Sequence, residues 1–201
     1  DNNTALGRQA DVSSANLGNA TAIGYNATVT TSNRVVLGNS SVTVIGGYAG
    51  WSNLSDSRFK KNIQPNVAGL DFIMKLNPVT YTMDVQKLND FFGRKYEPGE
   101  DKAAAISAIV DKEQIVYSGF AAQEVEKAAA SAGYNFSGVI KPQNEKDHYS
   151  MVYSDFVPSL VKAIQEQQTT IQNQQKQIDE LKALVNKLVQ GNSITKHPAD
   201  K

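Results

Sequence analysis

From Val157 to Leu188 the sequence carries five heptads. Position a holds Val157, Ile164, Ile171, Ile178 and Val185; position d holds Leu160, Gln167, Gln174, Leu181 and Leu188. A stripe this long and narrow is buried by other helices lying alongside, which is the coiled-coil arrangement. Asp155 offers an N-cap and places Pro158 in the first turn, where its missing N–H does no harm. A single helix is therefore expected over 154–190. The polar stretch 191–201, with Gly191 and Pro198, is expected to be a disordered tail. The Gln layers at d lower stability and fix register or strand number. Ile at a with Leu at d favours two strands, so the spacing leaves the strand number open.

Charge and composition remove several function classes. The 201 residues balance 20 Lys+Arg against 20 Asp+Glu. A zero net charge lacks the footprint of a general nucleic-acid binder or a polybasic membrane anchor. No apolar run reaches the roughly 18 residues of a membrane span, so no membrane insertion is expected. There is no cysteine, hence no disulfide and no thiolate metal site. The chain starts at Asp1 without Met or a charged-then-apolar leader, so it is expected to be either processed or a fragment of something longer.

Residues 1–50 are rich in Asn, Ala, Thr, Ser, Gly and Val. One short unit recurs as Ala5-Leu6-Gly7, Ala22-Ile23-Gly24, Val36-Leu37-Gly38 and Val44-Ile45-Gly46, at spacings of 17, 14 and 8. Short alternations such as Ala27-Thr28-Val29-Thr30 lie between them. Apolar residues that point inward, with Gly or Asn at turns of positive φ, fit a short-strand β-roll or β-solenoid. Such units need stacked neighbours or identical chains beside them. The Asn-x-Ser/Thr triplets at Asn19, Asn26 and Asn135 are expected by chance here and receive no glycan role.

Residues 51–153 predict a small α+β domain. Leu70, Ile73, Met74 and Leu76 mark a short helix that Asn77-Pro78 ends. Val79–Met83, Ile115–Phe120 and Tyr149–Tyr153 read as strands, and Ala121–Ala132, closed by Gly133, as a helix. Residues 86–113 read as a polar excursion with a turn at Pro98-Gly99.

The chemistry-bearing run is Ser55-Asp56-Ser57-Arg58-Phe59-Lys60-Lys61-Asn62-Ile63. It resembles the intramolecular chaperone domain found at the C-terminus of phage endosialidases, tail spikes and neck appendages. That domain also occurs in bacterial surface proteins and the myelin regulatory factor group. The family mark Ser-Asp-x-Arg-x-Lys-x-Asn-Ile is complete from Ser55 to Ile63. Later marks follow in register: Leu70 to Tyr81, Gly119 to Val125 and Tyr153 to Val157. The resemblance spans about residues 51–190. Residues 1–50 resemble, more loosely, the β-roll head repeats of trimeric autotransporter adhesins.

The resemblance implies an α+β homotrimer, an upstream fibre or adhesin in the same polypeptide, and self-cleavage between Leu54 and Ser55. Ser55 would be the nucleophile and Lys60 its base, with Asp56, Arg58, Asn62, Gln123 and Glu124 as supporting motif residues. A free lysine is almost wholly protonated at neutral pH, so a base role requires burial or a nearby cation such as Arg58 or Lys61. An N-to-O acyl shift onto Ser55 followed by ester hydrolysis is the expected route. The resemblance places the protein outside the cell, at a cell surface or in a phage tail fibre. No cofactor is expected. His148 and His197 lack ligand neighbours at metal spacing, with only Asp147 adjacent, and no metal is expected.

Two other functions fit the same residues. The domain could remain uncut as a permanent trimerisation cap. Alternatively, Phe91, Phe92 and Tyr96 of the excursion could serve a receptor-binding tip.

Overall fold

The computed structural model describes residues 2–94, 99 and 101–194, with side chains to 190. The fold is mixed α and β, followed by one long helix. The predicted tail from 195, and with it His197 and Pro198, lies outside the described residues, as do Tyr96 and Pro98.

The N-terminal segment is a stack of two- and three-residue strands. β1 (Thr4–Leu6), β3 (Thr21–Ile23) and β5 (Val35–Leu37) pair in parallel, with Ala5 opposite Ala22 and Ala22 opposite Val36. β2 (Asp11–Val12) and β4 (Thr28–Val29) form a second parallel pair. The spacings of 17 and 14 residues are thus ladder spacings. Small residues fill the inside: Ala20, Ala22, Ala27 and Val29 are buried, with Ala10, Val12, Leu17 and Val36 against them. The larger Leu6 and Ile23 face outward, contrary to a uniform inward reading, because alternate residues of a strand point to opposite faces. Asn19, Asn26 and Asn33 turn the chain at positive φ, and Asn19 Nδ2 donates to Asn33 Oδ1 at 2.9 Å. Gly7, Gly24 and Gly38 also stack at positive φ; a Cβ on Gly7 would come within 2.7 Å of the Gly24 oxygen. The expected fourth unit, Val44-Ile45-Gly46, joins no strand, and Val44 and Ile45 are exposed. Its spacing of 8 is too short for one circuit of the stack.

Beyond it, α1 (Leu70–Ile73), α4 (Ala122–Ser131) and the start of α5 (Phe156–Ile194) enclose the main core. Phe72, Val125, Ala128, Ala129, Phe136 and Phe156 are buried there. The Phe72 ring lies 5.0 Å from Phe136 and 5.4 Å from Tyr134, and Phe136 lies 4.7 Å from Phe156. β6 (Val79–Tyr81) pairs antiparallel with β7 (Tyr117–Gly119), and β8 (Val139–Ile140) with β9 (Ser150–Met151). β8 was not predicted, and β6, β7 and β9 are shorter than predicted. The last gives way to a 3-10 turn at Tyr153–Asp155, which swings Phe156 into the core.

The excursion at 86–113 needs correction. It contains α2 (Val85–Phe91) and α3 (Lys102–Glu113), which pack against each other with Val85, Asn89 and Ile109 buried. Asp84 and Asp101 cap them by accepting from Lys87 N and Ala104 N. Apolar residues in α3 surround the helix, with Ile106 and Val110 half exposed, so no clean stripe marked it in sequence. The long helix also continues past 190 to Ile194. On one face its first turns bury Phe156, Ser159 and Ala163 against the domain. Glu166 on that face accepts from Leu70 N at 2.8 Å, satisfying a free N–H at the start of α1. The a and d residues lie on the other face and are exposed from Val157 to Leu188 in one copy of the chain.

Candidate active site

The Ser55–Ile63 run is organised by a single 3-10 turn, Ser57–Phe59. Asp56 begins it by accepting from Arg58 N at 2.9 Å. The same carboxylate takes Arg58 Nε at 2.9 Å and Nη2 at 2.6 Å, so one side chain holds both backbone and guanidinium. The Arg58 hydrogen bonds, side chain first and backbone second, hold the Asp56 carboxyl below its ordinary range. Arg58 is correspondingly raised by Asp56. Lys60 N donates to Ser57 O at 3.1 Å and closes the turn. With about three residues per 3-10 turn, positions 55 and 60 come back within side-chain reach. Lys60 Nζ stands 2.9 Å from Ser55 Oγ. Asn62 follows in the left-handed region at φ 53°, which asparagine tolerates.

This pair lies in the open, in an exposed segment. Leu54 is 81% exposed, Phe59 69% and Ile63 70%, and Trp51 and Tyr48 are exposed too. Large apolar side chains placed this densely on a surface mark an interaction face.

The other motif residues fall in two groups. Asp56, Arg58 and Asn62 build the turn that carries Ser55 and Lys60. Gln123 and Glu124 sit exposed on the first turn of α4, where Glu124 Oε2 accepts from Asn77 Nδ2 at 3.4 Å. Among the described residues, neither makes a hydrogen bond or ion pair to the Ser55 run. The later family marks serve packing. Val125 and Phe156 are core, Ile73 and Leu76 pack against it, and Tyr81 stacks on Tyr117 at 5.7 Å. Gly119 gives Tyr153 room to bring its hydroxyl against the strand, where it accepts from Phe120 N at 3.3 Å.

Sequence reasoning missed the link between the strand stack and the domain. Arg34 Nη1 meets Asp147 Oδ1 at 2.6 Å, and the Asp147 side chain is fully buried. Asp147 stood out in sequence only as a neighbour of His148, whose Nδ1 lies 3.7 Å from its carboxylate. A pair separated by 113 residues leaves no periodic signal. Among the described residues no group of His, Cys, Asp and Glu could hold a metal. Phe92 packs edge-on to Phe91 and to His148, so within the excursion it serves packing, while Phe91 is half exposed. No helix among the described residues is long and apolar enough to cross a membrane.

A family classed among the peptidases and described as the chaperone of endosialidase matches residues 55–134. Over those residues the chain is similar to the endosialidase-chaperone family. The match begins at Ser55, the first residue of the nine-residue motif, and runs through α4 to Tyr134 beside the main core. No curated protein and no solved structure matches the chain. The match gives residues 55–134 a relationship to both chaperones and peptidases.

Proposed function

We propose that the chain is the helper end of a fibre or surface adhesin: it joins three copies, sets their register, and then cuts itself from the upstream piece between Leu54 and Ser55. The observation that carries the cut is the 2.9 Å contact of Lys60 Nζ with Ser55 Oγ, at the point where the family match begins. In this reading Ser55 Oγ attacks the Leu54 carbonyl carbon and gives its proton to Lys60. The C–N bond breaks, the Ser55 nitrogen takes a proton, and Leu54 is left as an ester on Ser55. Water then splits the ester into the Leu54 carboxylate and the Ser55 hydroxyl. Asp56 and Arg58 position the turn.

Assembly supplies what one copy lacks. The exposed a and d stripe of α5 supports association through Ile164, Ile171, Ile178, Leu181, Val185 and Leu188. The number three follows from the family resemblance. Packing of Leu54, Phe59 and Ile63 against neighbours would withdraw water from Lys60 and link the cut to completed folding. Parallel strand stacks pair over long sequence separations and form slowly, so a registering device reduces misassembly. The placement of such a fibre outside the cell, on a cell surface or a phage tail, belongs to the same proposal.

Electrophoresis of the denatured protein tests the cut. Two fragments are expected, the second beginning at Ser55 by mass spectrometry, and Ser55→Ala leaves one band. A parent chain that stays whole after trimerising sinks the autoprocessing reading and leaves the permanent cap. Light scattering tests assembly: the parent is expected at three chains and Ile171→Asp at one.

A further inference from the structure

The proposed cut removes one covalent bond, yet polar contacts elsewhere tie residues 1–54 to the α+β domain. Arg34 Nη1 and Nη2 donate to the two oxygens of Asp147 at 2.6 and 3.3 Å. Thr30 Oγ1 reaches Asp147 Oδ1 at 3.4 Å, and Asn144 Nδ2 donates to Thr30 O at 2.9 Å. Ser40 Oγ hydrogen-bonds Asn89 Oδ1 on α2, and Lys112 Nζ on α3 donates to Val42 O. The domain side is itself fixed, since Gln143 N donates to Asp147 Oδ2 at 3.1 Å and Asp147 N to Asn144 O.

These contacts form a polar clamp on the last coil of the strand stack. A cleft of about 490 Å³ lies between stack and domain, with Arg34, Leu37, Asn89, Phe92 and His148 among its lining. The segment carrying the proposed cut lies outside the clamp, as Tyr48, Trp51 and Leu54 are exposed. Cleavage there leaves every clamp contact untouched. Removing Arg34 would leave the buried Asp147 carboxylate without its cation, so the joined state depends on the Arg34–Asp147 pair.

We infer that the Asp147-centred clamp is a holding surface for the end of the upstream strand stack, and that it keeps the two pieces together after the Leu54–Ser55 bond is cut. The inference rests on the proposed cut for its biological meaning, but the holding surface exists without it. Peptide cleavage is then distinct from release. Release requires the Arg34–Asp147 pair to open, and its partner is the Thr30–Val42 coil of the same polypeptide.

The test separates this claim from autoprocessing. In full-length Ser55→Ala protein, a recognition sequence for a site-specific protease replaces the exposed Gly47–Gly50 segment. After complete cutting, the N-terminal piece is captured through a tag and its loss of the C-terminal piece is followed in time. The pieces are expected to stay together through size exclusion. Arg34→Gln should separate them roughly tenfold faster or more, as loss of one partner of a buried pair implies. Asn144→Ala, which removes one hydrogen bond to Thr30 O, should fall between the two and covers the case of Arg34→Gln failing to fold by circular dichroism. The inference is overturned if the parent pieces part on the first wash. It is equally overturned if both variants hold as long as the parent, which would mean that entwined chains do the holding. Failure of the wild-type Ser55 chain to split itself would sink the proposed cut and leave this result standing.

Discussion

Replacing Lys60 by arginine separates two tasks a cation can perform beside Ser55. Arginine keeps the positive charge and can still donate to Ser55 Oγ, but it stays protonated in proteins and cannot accept a proton. The 2.9 Å separation of Nζ and Oγ lies inside the window of about 2.6–3.2 Å that proton transfer requires. A positioned base contributes about 10²–10⁴ in rate, or about 2.7–5.5 kcal/mol of barrier. Lys60→Arg is therefore expected to slow self-cleavage by at least about 100-fold, and Lys60→Ala by a similar amount. The Asp56–Arg58 contacts that build the turn do not involve the Lys60 side chain, so both variants should keep it. The assay is a pulse of labelled synthesis followed by a chase, with fragments resolved on a denaturing gel and trimer checked by light scattering. Splitting of the Lys60→Arg trimer within tenfold of the parent rate would refute the base assignment and leave Lys60 an electrostatic role only.

Two further outcomes rest on the packing and charge of the fold. Phe72→Ala empties a fully buried site between Tyr134, Phe136 and Phe156 and should cost about 3–5 kcal/mol in urea unfolding followed by circular dichroism, whereas exposed Phe59→Ala should change the stability of a monomeric heptad variant by less than about 0.5 kcal/mol. Burial pushes the Asp147 carboxyl up, but the Arg34 hydrogen bond and the Gln143 and His148 amides outweigh it, so the folded group titrates below its ordinary value. Its contribution to stability is then complete above the unfolded carboxylate range near about pH 4 and is lost as pH falls through the lower folded value; Asp147→Asn should flatten this part of the acid limb, and an unchanged acid limb would show that the clamp carboxylate is not linked to folding.

Local regularities were legible without a fold. Heptads announced α5, and the 17- and 14-residue spacings announced the parallel ladders, because both are repeats of one backbone geometry. Ser55 and Lys60 were marked by the family resemblance of the nine-residue motif, and the 3-10 turn capped by Asp56 that carries them appeared only in the structure. α2 and α3 escaped notice because their burial depends on each other and on the seam with the strand stack, and no period records that. The second stripe of α5 was hidden for a related reason. Phe156, Ser159 and Ala163 lie beside the heptad positions and become core only when α1 arrives.

The sequence by itself determined the periodic elements and the apolar seam of the long helix. Those depend on residues a few positions apart, where backbone geometry alone decides what shares a face. Only the tertiary structure decided that Arg34 meets Asp147, that Glu166 caps α1, and that Ser55 and Lys60 stand exposed on a segment rimmed by apolar side chains. Each depends on which distant surfaces come together and how much water they exclude, and chain order does not encode that directly.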